Sequence, residues 1–157
     1  MNNKVIHPFD PIYNKESKIL ILGSVASEKS RQLGYPYANP QNRFWKIMKE
    51  LFNEEIIDYK KFLLKNNIAL WDVIESCTIT GSSDSSIKDV TPNDINSIIK
   101  NSNITKIFIT GKTAYNLYNK YILKDTNIEA IYLSSPSPAN ATKSLNDLVN
   151  EYKIILK

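Results

Sequence analysis

The chain has 157 residues, of which 42% are apolar and 10% aromatic, so it can bury one ordinary hydrophobic core and is short for two. Its 20 Lys and Arg against 16 Asp and Glu give a formal net charge of +4, which permits a nucleic-acid partner without establishing one. One cysteine and one histidine exclude a disulfide framework and a multi-Cys/His metal cluster within one chain. We therefore expect one domain over residues 1–157 that needs no metal or cofactor.

The hydrophobic pattern predicts strands and helices in alternation. Residues 18–23 and 106–111 are apolar runs closed by glycine, which is typical of buried parallel strands that lead into a loop. Further strands are predicted at residues 68–73 and 129–133. Helical patterns lie between them, at residues 42–51, 58–65, 92–101, 112–121 and 141–152. Thr91 and Pro92 are predicted as the N-cap and first residue of the third helix.

This alternation favours right-handed crossovers and a mostly parallel sheet covered on both faces. We therefore predict an α/β three-layer sandwich, with a central, mostly parallel four-stranded sheet flanked by helices. Ligands of such sheets bind beyond the carboxyl ends of the strands. The loops after Gly23, Trp71, Gly111 and Leu133 are thus expected to form the site, whereas residues 81–86, rich in Ser, are expected to form a mobile loop. No apolar run has the length of a signal peptide or a membrane span, and the expected location is the cytoplasm.

Two common phosphate-binding motifs do not fit the loops that follow the glycine-closed strands. Gly23 is the only glycine in its turn, so the GxGxxG pattern of dinucleotide-binding proteins is absent. The run Gly111-Lys112-Thr113 lacks the upstream glycine of a P-loop, and we interpret it as an ordinary turn from a strand into a helix.

The long loop at residues 23–45 carries a specific motif. Its second half, residues 34–45 (GYPYANPQNRFW), resembles the Gly-aromatic-Pro-aromatic-Ala-His-Pro-x-Asn-Arg-Phe-Trp element of the mismatch-specific uracil-DNA glycosylases. Residues 23–45, 71–73, 81–87 and 135–141 together are similar to the hypoxanthine-DNA glycosylase branch of that superfamily. Two residues depart from the better-known uracil enzymes: Asn39 replaces a histidine, and Val25 replaces the Asp or Asn that aligns the attacking water.

The departure at Val25 bears on the chemistry. Cleavage of an N-glycosidic bond develops positive charge on the sugar and negative charge on the base, so the enzyme needs a positioned water and donors aimed at the base. The resemblance to the hypoxanthine branch implies that another asparagine takes over, and the candidates are Asn42 and then Asn39. An amide can orient a water that attacks a cation-like sugar, because little deprotonation is required early. Asn42 equally suits the N-cap of the following helix, and the two roles are compatible.

Tyr37 aligns with the aromatic residue that stacks on the extruded base in these enzymes, and Tyr35 is the second choice. Stacking on a flipped base is worth about 1–3 kcal/mol; the alternative is a tyrosine of the core. Asp72 and Asp84 lie in segments marked by the resemblance, where a carboxylate would hydrogen-bond the base edge or cap a loop. The expected base-binding residues are Tyr37, Ser24, Val25, Asp72 and Asp84.

The loop at residues 134–141 resembles the second motif of the family, which grips the DNA strand and enters the space left by the flipped nucleotide. Small hydroxyls and backbone N–H groups before a helix suit phosphate oxygens, and prolines stiffen the loop. Ser135 is the expected equivalent of the serine in that motif. Taken alone, a Ser/Pro loop would be a solvated turn, and lysines are ordinarily solvated. The expected DNA-binding residues are Ser135, Ser137, Asn140, Lys143 and Arg43.

The resemblance implies a monofunctional DNA glycosylase that releases hypoxanthine from DNA as the first step of base excision repair. The substrate would be double- or single-stranded DNA with a deaminated base, and the enzyme would act as a monomer. Three alternatives remain open: uracil as the main substrate, a non-catalytic damaged-DNA-binding module of the same fold, and a hydrolase of free nucleosides. The remaining reactive side chains are interpreted as structural, His7 as a surface histidine and Cys77 as a small buried residue.

Overall fold

The computed structural model describes residues 3–80 and 86–157. Its central sheet contains four parallel strands, which in chain order are β2 (Ile19–Gly23), β3 (Ile68–Asp72), β6 (Lys106–Thr110) and β7 (Ala130–Leu133). Across the sheet their order is β3-β2-β6-β7. The registers pair Gly23 with Asp72 and Thr110 with Leu133, so all four strands end at one edge of the sheet. The predicted α/β architecture and its four strands are confirmed.

A second, antiparallel sheet was not predicted. It has the order β1-β4-β5 and comprises β1 (Asn3–Ile6), β4 (Ile74–Ile79) and β5 (Lys88–Pro92). Residues 74–79 do not alternate strictly between apolar and polar residues. The buried positions are Ile74, Cys77 and Ile79, which are spaced three and two positions apart. The pairing with β1 comes from residues 70 or more positions away in the sequence, which no local pattern reveals.

The helices are α1 (Glu28–Leu33), α2 (Phe44–Phe52), α3 (Tyr59–Lys65), α4 (Ile95–Lys100), α5 (Lys112–Tyr121), α6 (Leu123–Thr126) and α7 (Leu145–Tyr152), followed by a 3-10 turn at Lys153–Leu156. The predicted N-cap at Thr91 is wrong: Thr91 and Pro92 end strand β5, and Asp94 caps α4 by accepting from the Ser97 N–H at 3.1 Å. Similarly, α7 begins at Leu145 rather than at residue 141, because Ser144 forms a capping box with Asp147.

Successive residues of a strand point to opposite faces of the sheet, and this divides the core in two. Leu20 and Leu22 pack with α4, α5 and the antiparallel sheet, where Cys77 is buried as expected. Ile21, between them, packs on the other face with Phe44 of α2 and with α3 and α7. The central sheet is therefore the middle of three layers. None of the helices in the described residues is long and apolar enough to cross a bilayer.

Candidate active site

A cleft of about 610 Å³ opens at the carboxyl edge of the central sheet. It is enclosed by the loop after β2, the end of β3, the turn after β6 and the loop after β7, which are the four loops predicted to form the site. Nine of the predicted site residues line this cleft: Ser24, Val25, Tyr37, Asn39, Asn42, Asp72, Ser135, Ser137 and Asn140. Of the other three, Arg43 and Lys143 do not line it, and Asp84 lies outside the described residues.

The floor of the cleft is formed where Gly23 and Asp72 lie side by side at the ends of β2 and β3. A methyl group built on Gly23 would lie 2.7 Å from Oδ1 of Asp72 and 3.0 Å from the hydroxyl of Tyr37, which is closer than van der Waals contact. The absence of a side chain at Gly23 therefore allows a carboxylate oxygen and a phenol oxygen to approach the same point of the backbone. Asp72 is 9% exposed and presents its charge at this point.

Tyr37 connects this floor to the core. One face of its ring stacks on Phe44, which is fully buried, with centroids 4.1 Å apart and an angle of 10° between the planes. The backbone of Tyr37 is left-handed, with φ of 55°, which places the ring back over α2 after Pro36. Burial raises the pKa of the Tyr37 hydroxyl well above its usual value, and the negative charge of Asp72 adds to this effect. The hydroxyl therefore stays protonated and can donate a hydrogen bond near the carboxylate.

The two candidate amides make the same type of local hydrogen bond, in which the side-chain oxygen accepts from the backbone N–H two residues later. The Asn42 Oδ1 accepts a hydrogen bond from the Phe44 N–H at 2.9 Å, and the Asn39 Oδ1 accepts one from the Gln41 N–H at 2.9 Å. The N-cap of α2 is Arg43, which makes no side-chain capping bond, so the predicted N-cap at Asn42 is wrong by one position. Asn42 precedes the cap and satisfies the free N–H of Phe44 in the first turn. A carbonyl oxygen has two lone pairs, and one remains on each amide for a water in the cleft.

The opposite wall of the cleft is the loop at residues 134–144, and Arg43 holds it. The guanidinium group donates to four carbonyl oxygens of this loop, those of Pro136 (3.3 Å), Ser137 (2.8 Å), Asn140 (2.8 Å) and Lys143. The Arg43 N–H also donates to the Pro136 carbonyl at 3.0 Å. Arg43 was predicted as a phosphate contact, but its donors are directed at the protein's own backbone, and its observed contacts are those of a clamp between the loop and α2.

The same loop is tied to helix α7 at its other end. Glu151 accepts hydrogen bonds from the N–H and the hydroxyl of Ser134, and the buried hydroxyl of Tyr152 donates to the Ser134 carbonyl at 2.6 Å. Lys143 lies 3.5 Å from Glu151 and is 42% exposed at its side chain. The loop is thus fixed at both ends, which gives its serines defined positions at the mouth of the cleft.

The interpretation of His7 as a surface residue is wrong. Its side chain is only 3% exposed, and its Nε2 lies 2.6 Å from Oδ2 of Asp72. Strand β1 pairs with β4, and Ile12 forms an antiparallel bridge with Leu70 at the edge of β3. The chain between these two anchors crosses the end of β3, directly behind Asp72. The only sequence signal was that His7 is the sole histidine, followed by Pro8 and Phe9. Its contact with Asp72 joins residues that are distant in the sequence, so the local pattern could not predict it.

Taken together, the described residues of the cleft offer one carboxylate at the floor, a phenol beside it, two amides on one wall and serines on the other. This set can accept a hydrogen bond from a flat ligand, stack against it, orient a water and meet phosphate oxygens. These are the functions that extraction and hydrolysis of a single nucleotide require.

Comparison with known proteins gives concordant results. The sequence profile described as "Uracil DNA glycosylase superfamily" matches residues 11–156. A hypoxanthine DNA glycosylase of Methanosarcina barkeri is 32% identical over 141 residues, which cover 84% of this chain and 86% of the relative. A hypoxanthine DNA glycosylase of Methanosarcina acetivorans is 34% identical over 146 residues, which cover 88% and 90%. The solution NMR structure of a candidate uracil DNA glycosylase from Methanosarcina acetivorans superposes with a TM-score of 0.79 at 28% identity and covers both chains completely.

Proposed function

This chain belongs to the uracil DNA glycosylase superfamily, and on that premise we propose that it hydrolyses the N-glycosidic bond of a deaminated base in DNA, with hypoxanthine as the preferred base. The product is an abasic site. Residues 1–157 act as one domain and as a monomer, and no metal or cofactor takes part in the reaction. The observation that carries this proposal is the convergence of Tyr37, Asp72 and Asn42 in one cleft, facing the loop at residues 134–144.

The flipped base is proposed to bind at the floor of the cleft, against the side of the Tyr37 ring opposite Phe44. Phe44 covers one face of the Tyr37 ring, and a base stacked on the other face extends a buried aromatic pair. Hypoxanthine carries a ring N–H at the position where adenine carries a lone pair, and uracil differs from cytosine in the same way. The Asp72 carboxylate can only accept hydrogen bonds. Where it faces this ring position, it attracts the N–H of the deaminated base and repels the lone pair that the parent base carries there.

Water attack is proposed to depend on Asn42. As the bond to the base breaks, the sugar becomes cation-like and the main requirement is a water held on the correct face. The second lone pair of Asn42 Oδ1 can accept a hydrogen bond from such a water, while the bond from the Phe44 N–H at 2.9 Å fixes the amide. Asn39 lies on the same wall and is the second candidate. The side chain of Val25 lines the cleft without a polar group, so it contributes shape only.

The DNA strand is proposed to lie across the mouth of the cleft. The backbone clamp from Arg43 and the anchor at Glu151 hold the loop that carries Ser135, Ser137 and Asn140. Hydroxyl, amide and backbone N–H donors of a fixed loop can bind phosphate oxygens with little loss of conformational entropy, because the loop is already ordered before DNA binds. Lys143, at the end of this loop and 42% exposed, supplies a positive charge beside it.

A substrate panel tests the proposal. Matched duplexes and single strands with one deoxyinosine, deoxyuridine or deoxyxanthosine are incubated with excess protein, and abasic sites are revealed by alkaline cleavage. We expect deoxyinosine to be processed fastest, with no strand break before alkali is added, since no step of the proposed reaction cuts the backbone. Free deoxyinosine nucleoside serves as the control and should remain intact, because it lacks the phosphates that place the base.

Each other outcome has a distinct meaning. Fastest excision of uracil would transfer the preference to that base with the mechanism intact. Tight binding of an abasic duplex without turnover of any base would show a binding module, and cleavage of the free nucleoside would show a nucleoside hydrolase. Either of the last two results would overturn the proposed function.

A further inference from the structure

We propose that His7 is a positioning residue that sets the base selectivity of the cleft by holding the Asp72 carboxylate as a hydrogen-bond acceptor for the ring N–H of the base. This inference rests on the proposed function, since it concerns how Asp72 distinguishes a deaminated base from its parent. His7 does not contact the substrate. It acts only through Asp72.

The two oxygens of the Asp72 carboxylate have different surroundings. Oδ2 lies 2.6 Å from Nε2 of His7, whereas Oδ1 lies over Gly23, 2.7 Å from the point that a Cβ there would occupy. The Tyr37 hydroxyl is 3.0 Å from the same point, and Gly23, Tyr37 and Asp72 all line the cleft. The side chains of His7 and Asp72 are 3% and 12% exposed, so water competes little for this bond. One oxygen is thus fixed from behind, and the other is presented at the floor.

His7 approaches Asp72 from outside the cleft. A separate cavity of about 20 Å³ lies behind the floor, and His7 and Phe9 line it. Asp72 and Tyr37 line both this cavity and the cleft, while His7 does not line the cleft. The carboxylate is therefore part of a thin wall between the two spaces, and the histidine ring supports that wall from the rear.

The protonation of His7 follows from its partners. A carboxylate has no proton to give, so the short contact at Nε2 requires that the histidine donate. Nδ1 lies 3.2 Å from the Phe9 nitrogen and 3.0 Å from the Phe9 carbonyl oxygen. A neutral ring can accept at Nδ1 from the Phe9 N–H, and a protonated ring can donate there to the Phe9 carbonyl. In both states Nε2 carries a proton directed at Asp72.

This bond fixes the orientation of the Asp72 carboxylate, with Oδ2 held by the histidine and Oδ1 left as an acceptor. Without the Nε2–H, a poorly exposed carboxylate would lose its nearest donor, and it would be free to rotate. A rotated carboxylate would not present a fixed acceptor to the ring N–H of the base. A purine with a lone pair at this ring position would then no longer be repelled. Loss of His7 should therefore lower the preference for hypoxanthine over such a purine more than it lowers the excision rate of purines in general.

The test compares two bases in the same duplex: hypoxanthine, which has a ring N–H, and unsubstituted purine, which has a lone pair there. Single-turnover excision of both is measured for the unmodified protein, His7→Ala and His7→Gln. Intrinsic differences in leaving-group ability cancel when the hypoxanthine-to-purine rate ratio is compared between variants. We expect this ratio to fall about 10-fold or more in His7→Ala, on the scale of a lost charge-assisted hydrogen bond. His7→Gln should largely restore it, because the amide N–H of Gln can donate in place of Nε2.

A matched control separates selectivity from stability. Ser17 is fully buried in the same N-terminal segment and accepts from the Asn14 N–H at 3.0 Å, remote from Asp72. Ser17→Ala should lower the melting temperature and leave the ratio unchanged. If His7→Ala lowers the excision rates of hypoxanthine and purine by the same factor, the positioning role is overturned and the proposed function stands. If the unmodified protein excises no base, the proposed function itself is refuted.

A second measurement needs no variant. His7 is the only histidine, so the side-chain nitrogen signals of protein labelled with ¹⁵N-histidine belong to it alone. We expect Nε2 to carry a proton that exchanges slowly with solvent at neutral pH. A ring protonated at Nδ1 alone, with Nε2 unprotonated, would contradict the inference directly.

Discussion

Replacement of Asn42 by alanine distinguishes a catalytic role from a structural one at the residue on which the proposed mechanism depends. The structural loss is the hydrogen bond from the Phe44 N–H to Oδ1, worth about 1 kcal/mol for a helix cap. For a domain of this size, a loss of that magnitude lowers the melting temperature by about 2–4 °C. A domain with about 5–15 kcal/mol of stability stays folded after such a loss, so capping alone leaves the excision rate at 25 °C nearly unchanged.

Loss of water positioning has a much larger effect on the rate. Removal of one positioning contact to a transition state costs about 100-fold or more, equivalent to about 2.7 kcal/mol of activation free energy. We therefore expect Asn42→Ala to reduce single-turnover excision of hypoxanthine by at least about 100-fold. Affinity for an abasic duplex should remain close to normal, because Asn42 acts on the water and not on the phosphates.

The assay measures the melting temperature and the single-turnover rate on the same preparations. Asp94→Ala is the control: Asp94 caps α4 by the same kind of bond, from the Ser97 N–H at 3.1 Å, and does not line the cleft. It should show the shift in melting temperature without the loss of rate. Asn39→Ala, run in parallel, tests the neighbouring amide. If both Asn42→Ala and Asn39→Ala excise hypoxanthine at rates within about 5-fold of normal, far from the expected loss of about 100-fold, neither amide positions the water. Asp72 would then be the next candidate for the group that activates water.

Three further predictions follow from the same geometry. Tyr37→Phe keeps the stack on Phe44 and should fold normally, whereas Tyr37→Ala should weaken capture of the flipped base and also lower the melting temperature; an unchanged melting temperature for Tyr37→Ala in calorimetry would contradict the observed stack. Arg43→Lys should loosen the loop at residues 134–144, because one ammonium cannot serve four carbonyls, and binding of abasic DNA in a titration should weaken; equal affinity would contradict the clamp. Gly23→Ala places a methyl 2.7 Å from Oδ1 of Asp72, and since displacement on the ångström scale can cost about 100-fold, hypoxanthine excision should fall at least about 10-fold in single-turnover assays while the protein remains folded.

Several elements of this molecule could be predicted from local sequence. The glycine-closed runs at residues 18–23 and 106–111 identified two central strands, because a strand buried on both faces is continuously apolar. The pattern of the segment at residues 112–121 matches helix α5 residue for residue. The motif at residues 34–45 identified the family, and the rule that parallel sheets bind ligands at their carboxyl edge placed the cleft in the correct loops.

Other elements depended on contacts that a local pattern does not contain. The segment at residues 74–79 forms a strand only because β1 supplies its partner, and Thr91 ends a strand instead of capping a helix because β4 pairs with it. Arg43 was predicted as a phosphate contact, but its guanidinium group donates to four backbone carbonyl oxygens. The sequence does not show which carbonyl groups a loop turns toward a side chain, so these bonds could not be predicted.

The sequence by itself determined the four-stranded parallel sheet, the edge of that sheet at which the site lies and nine of the residues that line the cleft, because these follow from periodicity and from motifs a few residues long. Only the tertiary structure decided how that set is supported. His7 reaches Asp72 across 65 positions of sequence, and this contact exists because β1 and Ile12 are anchored on two different sheets. A hydrogen bond depends on a separation of about 3 Å in space, and separation along the chain carries no information about it.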